Sequence, residues 1–364
     1  MPAMDVAGRA PRLRQSLDSA GCDLLLVTHL TNIRYLTGFT GSAALVAVHS
    51  DGLLFVTDGR YEEQAAGEIE RAGVDAEIEI GRTGEAQRRL LAERFRHAGR
   101  IGLEADHVSW SSQRRYAEDW FPDTTLVPTS GLIEDLRMVK DSGEVARIES
   151  ACRIADAALA SLLPCLEEGP TEAELAALLD SEMRSRGADD ISFDTIVASG
   201  PNGSRPHHSP GPRRIEQGDL TVIDFGALVD GYHSDMTRTI PVGGLDALDE
   251  GQRRMMAVVT ESQAAGVSAV RAGGTTRDVD AACRAVIAEA GWADAFVHGT
   301  GHGVGLDIHE APAVSASSDA TLADGHVVTV EPGVYLPGHG GVRVEDTVVV
   351  SGDGCRTLTC APKP

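Results

Sequence analysis

The stretch Thr221-Val222-Ile223-Asp224-Phe225-Gly226-Ala227-Leu228-Val229-Asp230-Gly231-Tyr232-His233-Ser234-Asp235-Met236-Thr237-Arg238-Thr239-Ile240 reads as a β-hairpin closed at Asp230-Gly231. Asp-Gly is a strong two-residue hairpin signal, because both positions tolerate the positive φ of a tight turn matched to strand twist. With the turn placed there, Val229 faces Tyr232, Gly226 faces Asp235 and Asp224 faces Thr237. Side chains alternate between faces along a strand. Asp224, Gly226, Asp235 and Thr237 therefore emerge on one face, with the two carboxylates diagonal to each other. Gly226 leaves room opposite Asp235. Two carboxylates this close repel unless a shared proton or a cation lies between them. A pair of exposed aspartates flanking a turn would carry the same local pattern.

Outward from the hairpin, two more apolar segments contain a carboxylate. Val327-Val328-Thr329-Val330-Glu331-Pro332-Gly333 closes on Glu331. Gly341-Val342-Arg343-Val344-Glu345-Asp346-Thr347-Val348 sets Glu345 inside a valine-rich strand, on one face with Arg343 and Thr347. A charge among valines is costly to bury unless it is paired or bound to a metal. An edge strand with Glu345 in solvent beside Arg343 is the alternative. Between these segments runs His298-Gly299-Thr300-Gly301-His302-Gly303-Val304-Gly305-Leu306-Asp307-Ile308-His309-Glu310. Glycines let the backbone pass close to a ligand, and the histidines can be aimed inward. The spacing is not that of a G-x-G-x-x-G phosphate loop, and no lysine lies within it. Nor is it H-E-x-x-H, because no histidine follows His309 at the required interval.

The chain has 364 residues, 42% of them hydrophobic and 24% charged, which suits a globular protein of two domains. Its net charge of -23 would repel nucleic-acid phosphates. Apolar runs such as Leu24-Leu25-Leu26-Val27 are strand-sized and far short of a membrane span. No apolar segment directly follows Arg9, Arg12 and Arg14, so no secretory signal is expected. The six cysteines form no C-x-x-C pair, and reduced thiols in a cytoplasmic protein are expected. Strand-length runs at 24–27, 43–48, 53–56, 101–103 and 125–127 alternate with polar helical segments at 85–97 and 111–120, predicting an α/β domain over residues 1–131. Residues 132–364 predict an α+β domain, with helices at 144–163, 172–186, 252–270 and 276–290 beside an antiparallel sheet. Asp141 or Ser142 is placed to cap the first of these helices.

Together the segments resemble the creatinase and methionine-aminopeptidase superfamily of metallopeptidases, family M24, in its aminopeptidase P and prolidase branch. The resemblance rests on 224–239, 301–310, 329–333 and 341–346, and on Val197-Ala198-Ser199-Gly200-Pro201-Asn202-Gly203 leading to Pro206-His207-His208. Asn32-Ile33-Arg34-Tyr35-Leu36-Thr37-Gly38-Phe39 extends it to the N-terminal domain, so that it covers nearly the whole chain. It implies a creatinase-type α/β domain followed by a catalytic domain of the pita-bread fold, a curved antiparallel sheet with helices. It also implies that Asp224, Asp235, His302, Glu331 and Glu345 hold two divalent metal ions, with Asp235 and Glu345 bridging. All five are present, whereas the creatinase members that lack the set work without metal. Four carboxylates and one imidazole suit a hard or borderline ion, manganese first, with cobalt, zinc or iron as alternatives.

Carried onto these positions, the resemblance implies that a water activated between the ions attacks the carbonyl preceding proline. His207 and His309 would donate hydrogen bonds to the forming oxyanion, and Glu331 would move the proton towards the leaving nitrogen. His298 would line the substrate pocket, and Arg343 would pair with Glu345 or with an acidic substrate group. The branch implies proline-containing peptides as substrates and a homodimer; a tertiary amide with a fixed ring is a shape that a pocket can select. Methionine aminopeptidases share the metal site but lack the large N-terminal domain. Prolidases often carry an arginine shortly after the His-Glu pair, suited to a free proline carboxylate. Here that segment reads Ala311-Pro312-Ala313-Val314-Ser315, which favours an Xaa-Pro aminopeptidase over an Xaa-Pro dipeptidase. A metal-dependent lyase or a hydrolase of a non-peptide C–N bond is a more distant reading, since fold alone does not set chemistry. A non-catalytic binding module would be expected to have lost ligands that this chain keeps.

Overall fold

The computed structural model describes residues 1–363. The chain divides into two compact units, Met4–Arg137, and Met1–Ala3 with Met138–Pro364. The first is built on a six-stranded mixed sheet. Its strand Leu24–Val27 is buried at every residue, as an uninterrupted apolar run requires of a strand covered on both faces. That strand pairs antiparallel with Ala44–His49 and parallel with Arg100–Glu104. Gly52–Thr57 and Glu77–Ile80 extend one side, and Thr125–Thr129 closes the other. Glu77–Ile80 is not evident from the sequence, because Glu-Ile-Glu-Ile is the short, charged pattern of a sheet edge. The break between units falls after Arg137, beyond the expected boundary at 131. Tyr35 donates to the Leu136 carbonyl at 3.1 Å and Arg137 to the Asn32 side-chain oxygen at 2.9 Å, which ties those residues to the first unit.

Every strand pairing in the second unit is antiparallel among the described residues. Helix Ser142–Leu162 starts at Asp141, whose carboxylate accepts from the Gly143 and Glu144 N–H groups. Glu144 returns a bond to the Asp141 N–H, so the capping box selects Asp141 over Ser142 as the cap. Helix Glu172–Ser185 opens the same way on Thr171 and Glu174. These two helices bury Leu159, Leu175 and Leu179 with Val197, Ile223, Phe225 and Met236 from the strands. Helices Glu250–Ala269 and Thr276–Glu289 cover Val328, Val330, Val342 and Val348. Among the described residues no helix is long and apolar enough to cross a membrane, and all six cysteines are free.

The hairpin forms as its residues dictate. Asp230 and Gly231 adopt φ of 48° and 75°, and one register runs from Val229 opposite Tyr232 down to Asp224 opposite Thr237. The space expected at Gly226 is filled: a Cβ there would lie 1.9 Å from the Ser234 carbonyl oxygen, so only glycine admits this approach. Glu345 does not lie mid-strand as expected. It sits in the gap between Gly340–Arg343, which pairs with Gly333–Leu336, and Asp346–Ser351, which pairs with Val327–Val330. Glu331 lies in the matching gap on the facing chain, between Val327–Val330 and Gly333–Leu336. Where a ladder breaks, the pleat no longer dictates side-chain direction, and a side chain can be re-aimed. Both glutamates use that freedom to point at the hairpin.

Candidate active site

One cavity of about 270 Å³ in the second unit is lined by Asp224, Asp235, His302, Glu331 and Glu345, and also by His207, His298, His309 and Arg343. Phe193, Ile196, Pro206 and Ile308 supply its apolar wall. Ligand atoms of Asp235, His302 and Glu345 all lie within 4.8 Å of one another. His302 donates from Nδ1 to the Gly303 carbonyl at 3.0 Å, which turns Nε2 towards Asp235 and Glu331, each 3.4 Å away. An imidazole braced at one nitrogen by a backbone carbonyl, with the other facing carboxylates, is the usual posture of a metal ligand.

Each outer carboxylate is held by one oxygen. Arg343 Nη2 donates to Asp224 Oδ2 at 2.5 Å, and the Thr237 hydroxyl donates to Glu345 Oε2 at 2.7 Å. Asp224 Oδ1 and Glu345 Oε1 are buried with no hydrogen-bond partner. Burial raises the Asp235 carboxyl to about 6 and the Glu331 carboxyl to about 7. Burial and the neighbouring carboxylates push Glu345 well above its ordinary range. For His302 burial opposes the charge, but the Asp235 hydrogen bond and the Glu331 charge outweigh it and carry the imidazole up to about 9. Four carboxylates thus share a buried space with too little positive charge, and two of their oxygens face nothing. That donor set fits divalent cations.

The family model of metallopeptidase family M24 matches residues 146–352, and that of the Creatinase/Prolidase N-terminal domain matches residues 9–139. The chain belongs to metallopeptidase family M24. It is 41% identical over 355 residues to an uncharacterized peptidase of Bacillus subtilis, covering 97% of this chain and 98% of that protein. Among solved structures it resembles an Xaa-Pro dipeptidase from Bacillus anthracis, with a TM-score of 0.93, 38% identity and 99% of each chain covered. It also resembles an X-Pro aminopeptidase from Thermotoga maritima, with a TM-score of 0.87 and 34% identity over 96% of this chain and 99% of that one. The fold of this M24 peptidase is accordingly a pita-bread domain with a creatinase-type N-terminal domain.

Around the cavity of this M24 peptidase the three remaining histidines differ. His298 donates from Nδ1 to the Gly299 carbonyl at 2.7 Å, and its Nε2 meets the Tyr335 hydroxyl at 2.8 Å. Burial lowers it to about 4, so it is neutral, and Nε2 accepts the Tyr335 proton. Both of its nitrogens are spent on the protein. His207 and His309 are exposed to the cavity and make no hydrogen bond among the described residues, which leaves their N–H groups for a substrate. Arg343 pairs with Asp224 and not with Glu345. Three more of its N–H groups go to the Tyr335 hydroxyl at 2.8 Å, the Thr237 hydroxyl at 3.0 Å and the Pro206 carbonyl at 3.3 Å. The sequence places Thr237 on the carboxylate face of the hairpin but assigns it no role, and Tyr335 is not among the residues expected at the site. The signal for Tyr335 was slight, one hydroxyl in the otherwise apolar run Gly333–Leu336.

A second group of ligand types, His29, His107 and Glu134, lies in the first unit. Its two imidazoles are stacked at 3.8 Å and 5° from parallel. Their lone pairs run in parallel planes and do not converge, so this group is read as a ring stack anchored by the His107–Glu134 contact at 3.0 Å.

Proposed function

We propose that this M24 peptidase hydrolyses the bond between an N-terminal residue and proline, as an Xaa-Pro aminopeptidase with two divalent cations, manganese first. The observation that carries the reading is the convergence of Asp224, Asp235, His302, Glu331 and Glu345 on a cavity that also presents two unengaged imidazoles. These five side chains would hold the cations. When bound, such ions acidify a water and polarise a carbonyl at neutral pH. His207 and His309 donate hydrogen bonds to the carbonyl oxygen as charge develops on it, where fixed donors act most strongly. Glu331, facing the cavity beside the would-be cations, takes a proton from the attacking water and passes it to the departing proline nitrogen. The apolar wall of Phe193, Ile196 and Ile308 excludes water and suits a side chain or a pyrrolidine ring. His298 and Arg343 act on the substrate by shaping the cavity, because both His298 nitrogens and four of the five Arg343 N–H groups are already engaged.

The relatives named as dipeptidases favour a second reading, an Xaa-Pro dipeptidase. Against it stands the guanidinium of Arg343, the one Arg or Lys lining the cavity among the described residues, four of whose five N–H groups are taken by Asp224, Tyr335, Thr237 and Pro206. A free proline carboxylate finds no spare fork there. We further propose a cytoplasmic homodimer acting on proline-containing peptides. Six free cysteines suit a reducing compartment, and the net charge of -23 disfavours nucleic acid as a partner. The test is cleavage of Xaa-Pro dipeptides and Xaa-Pro-Xaa tripeptides by chelator-stripped protein with and without added Mn²⁺, paired with elemental analysis. Mn²⁺-restored cleavage with tripeptides preferred supports the proposal. Strong preference for dipeptides selects the second reading, and full activity in chelator removes both.

A further inference from the structure

We propose that Glu172 is a positioning residue for His207, holding segment 199–211 in the shape that presents this imidazole to the cavity. The proposal rests on the role given to His207 above. Glu172 is the first residue of helix Glu172–Ser185 and is fully buried. Its Oε1 accepts from the Ser199 N–H at 2.8 Å, the Ser199 hydroxyl at 2.8 Å and the Asn202 side-chain amide at 2.9 Å. Its Oε2 accepts from His208 Nε2 at 2.8 Å and the Gly211 N–H at 3.2 Å. The donors fall into two groups, one before His207 and one after it.

Other bonds reach the segment singly: Arg213 Nη1 donates to the Ser199 hydroxyl at 2.6 Å, Arg343 Nη1 to the Pro206 carbonyl at 3.3 Å and the Ala173 N–H to the Gly211 carbonyl at 3.1 Å, but none of them joins the part before His207 to the part after it. Ser199 ends strand Ile196–Ser199 and Gly200–Ser204 is a short turn, but 205–211 contains no regular structure, so no ladder sets the path of the stretch that carries His207. One carboxylate therefore gathers both ends of the loop, and His207 stands next to one of the clamped residues, His208. A carboxylate is needed because every contact is a donor. Glutamine offers one accepting oxygen, and its NH₂ would confront either the Ser199 and Asn202 donors or the Gly211 N–H, which cannot reverse. A buried donor left unpaired is costly, and the loop would shift to relieve it. Glu172 does not line the cavity, so its effect on catalysis must pass through the loop.

The experiment is a double-mutant cycle on Mn²⁺-loaded full-length protein with an Xaa-Pro-Xaa tripeptide, comparing Glu172→Gln, His207→Ala and the double variant. Glu172→Gln should lower kcat about 10- to 100-fold, because small misplacements of a positioned group are costly. KM should stay within about twofold, with metal content unchanged, since the lost interaction belongs to the transition state. In the His207→Ala background the same substitution should remove almost nothing more. Equal proportional losses in both backgrounds would overturn the proposal while leaving the role of His207 intact. A fully active His207→Ala enzyme would overturn that role, and this proposal with it. If Glu172→Gln does not yield folded, metal-loaded protein, His208→Ala replaces it in the same cycle, with the same two outcomes deciding.

Discussion

The Arg343 guanidinium donates to the Asp224 carboxylate at 2.5 Å and, through its other nitrogens, holds the hydroxyls of Tyr335 and Thr237. Tyr335 in turn meets His298, and Thr237 donates to Glu345. One buried cation thus orients two candidate metal ligands and a pocket-lining histidine at once. Lysine would supply the charge without the planar fork. We expect Arg343→Lys to weaken Mn²⁺ affinity about 10- to 100-fold, the usual cost of losing an outer partner of a ligand. Competition against a chromophoric chelator measures it, and unchanged affinity would show that Asp224 is oriented by other means.

Asp224→Asn should reduce bound metal and lower kcat by at least about a hundredfold, since even partners outside the ligand set are worth this much. Elemental analysis after desalting, run beside the peptide assay, checks both. Wild-type metal content together with wild-type activity would remove Asp224 from the ligand set.

His309→Ala should behave differently. Its nitrogens are free of the protein, so metal content should be retained while kcat falls about 10²- to 10³-fold, the typical cost of one oxyanion donor. A loss of metal equal to that of Asp224→Asn would instead make His309 part of the metal site.

The pH dependence follows from the raised carboxyls. In the metal-free protein Asp235 and Glu331 titrate at about 6 and about 7, above the ordinary carboxylate range. A raised folded-state value favours folding fully at low pH, and that contribution is lost as pH rises through the folded-state values. Metal binding replaces the lost protons. We expect the rise in Tm on adding Mn²⁺ to be small near pH 5 and to grow through pH 6 to 8. Proton uptake or release, read as a buffer-dependent binding enthalpy, should show net release at pH 7, with His302 contributing because its proton is otherwise held up to about 9. A Tm gain that shrinks with rising pH would contradict this.

Gly226→Ala places a methyl group 1.9 Å from the Ser234 carbonyl oxygen. Overpacking of this kind costs about 1–3 kcal/mol. Urea denaturation of the metal-free protein should show that loss, and Asp235, one residue beyond Ser234, should bind metal more weakly. A stability unchanged within error would mean that the hairpin yields there without strain.

Local chemistry along the chain was enough to specify the hairpin, its register and the convergence of Asp224 with Asp235, because a two-residue turn and a period of two act over a few residues. The same holds for the long helices and for the central strand Leu24–Val27, whose patterns are strong over their own length. Glu77–Ile80 has no such pattern and acquires its strand from pairing with Gly52–Thr57.

Other features arise between residues far apart in the chain, and no local pattern encodes them. From residue 341 to 350 the sequence reads as one strand; the break at Glu345 exists because its two halves pair with different partners, Gly333–Leu336 and Val327–Val330. Arg343 chose Asp224, 119 positions away, over its near neighbour Glu345, and Glu345 took Thr237, 108 positions away, instead. Alternation along a strand says which side chains share a face. Which donor meets which acceptor is set when sheets stack and buried groups must each find a partner, and that competition is resolved only in the folded chain.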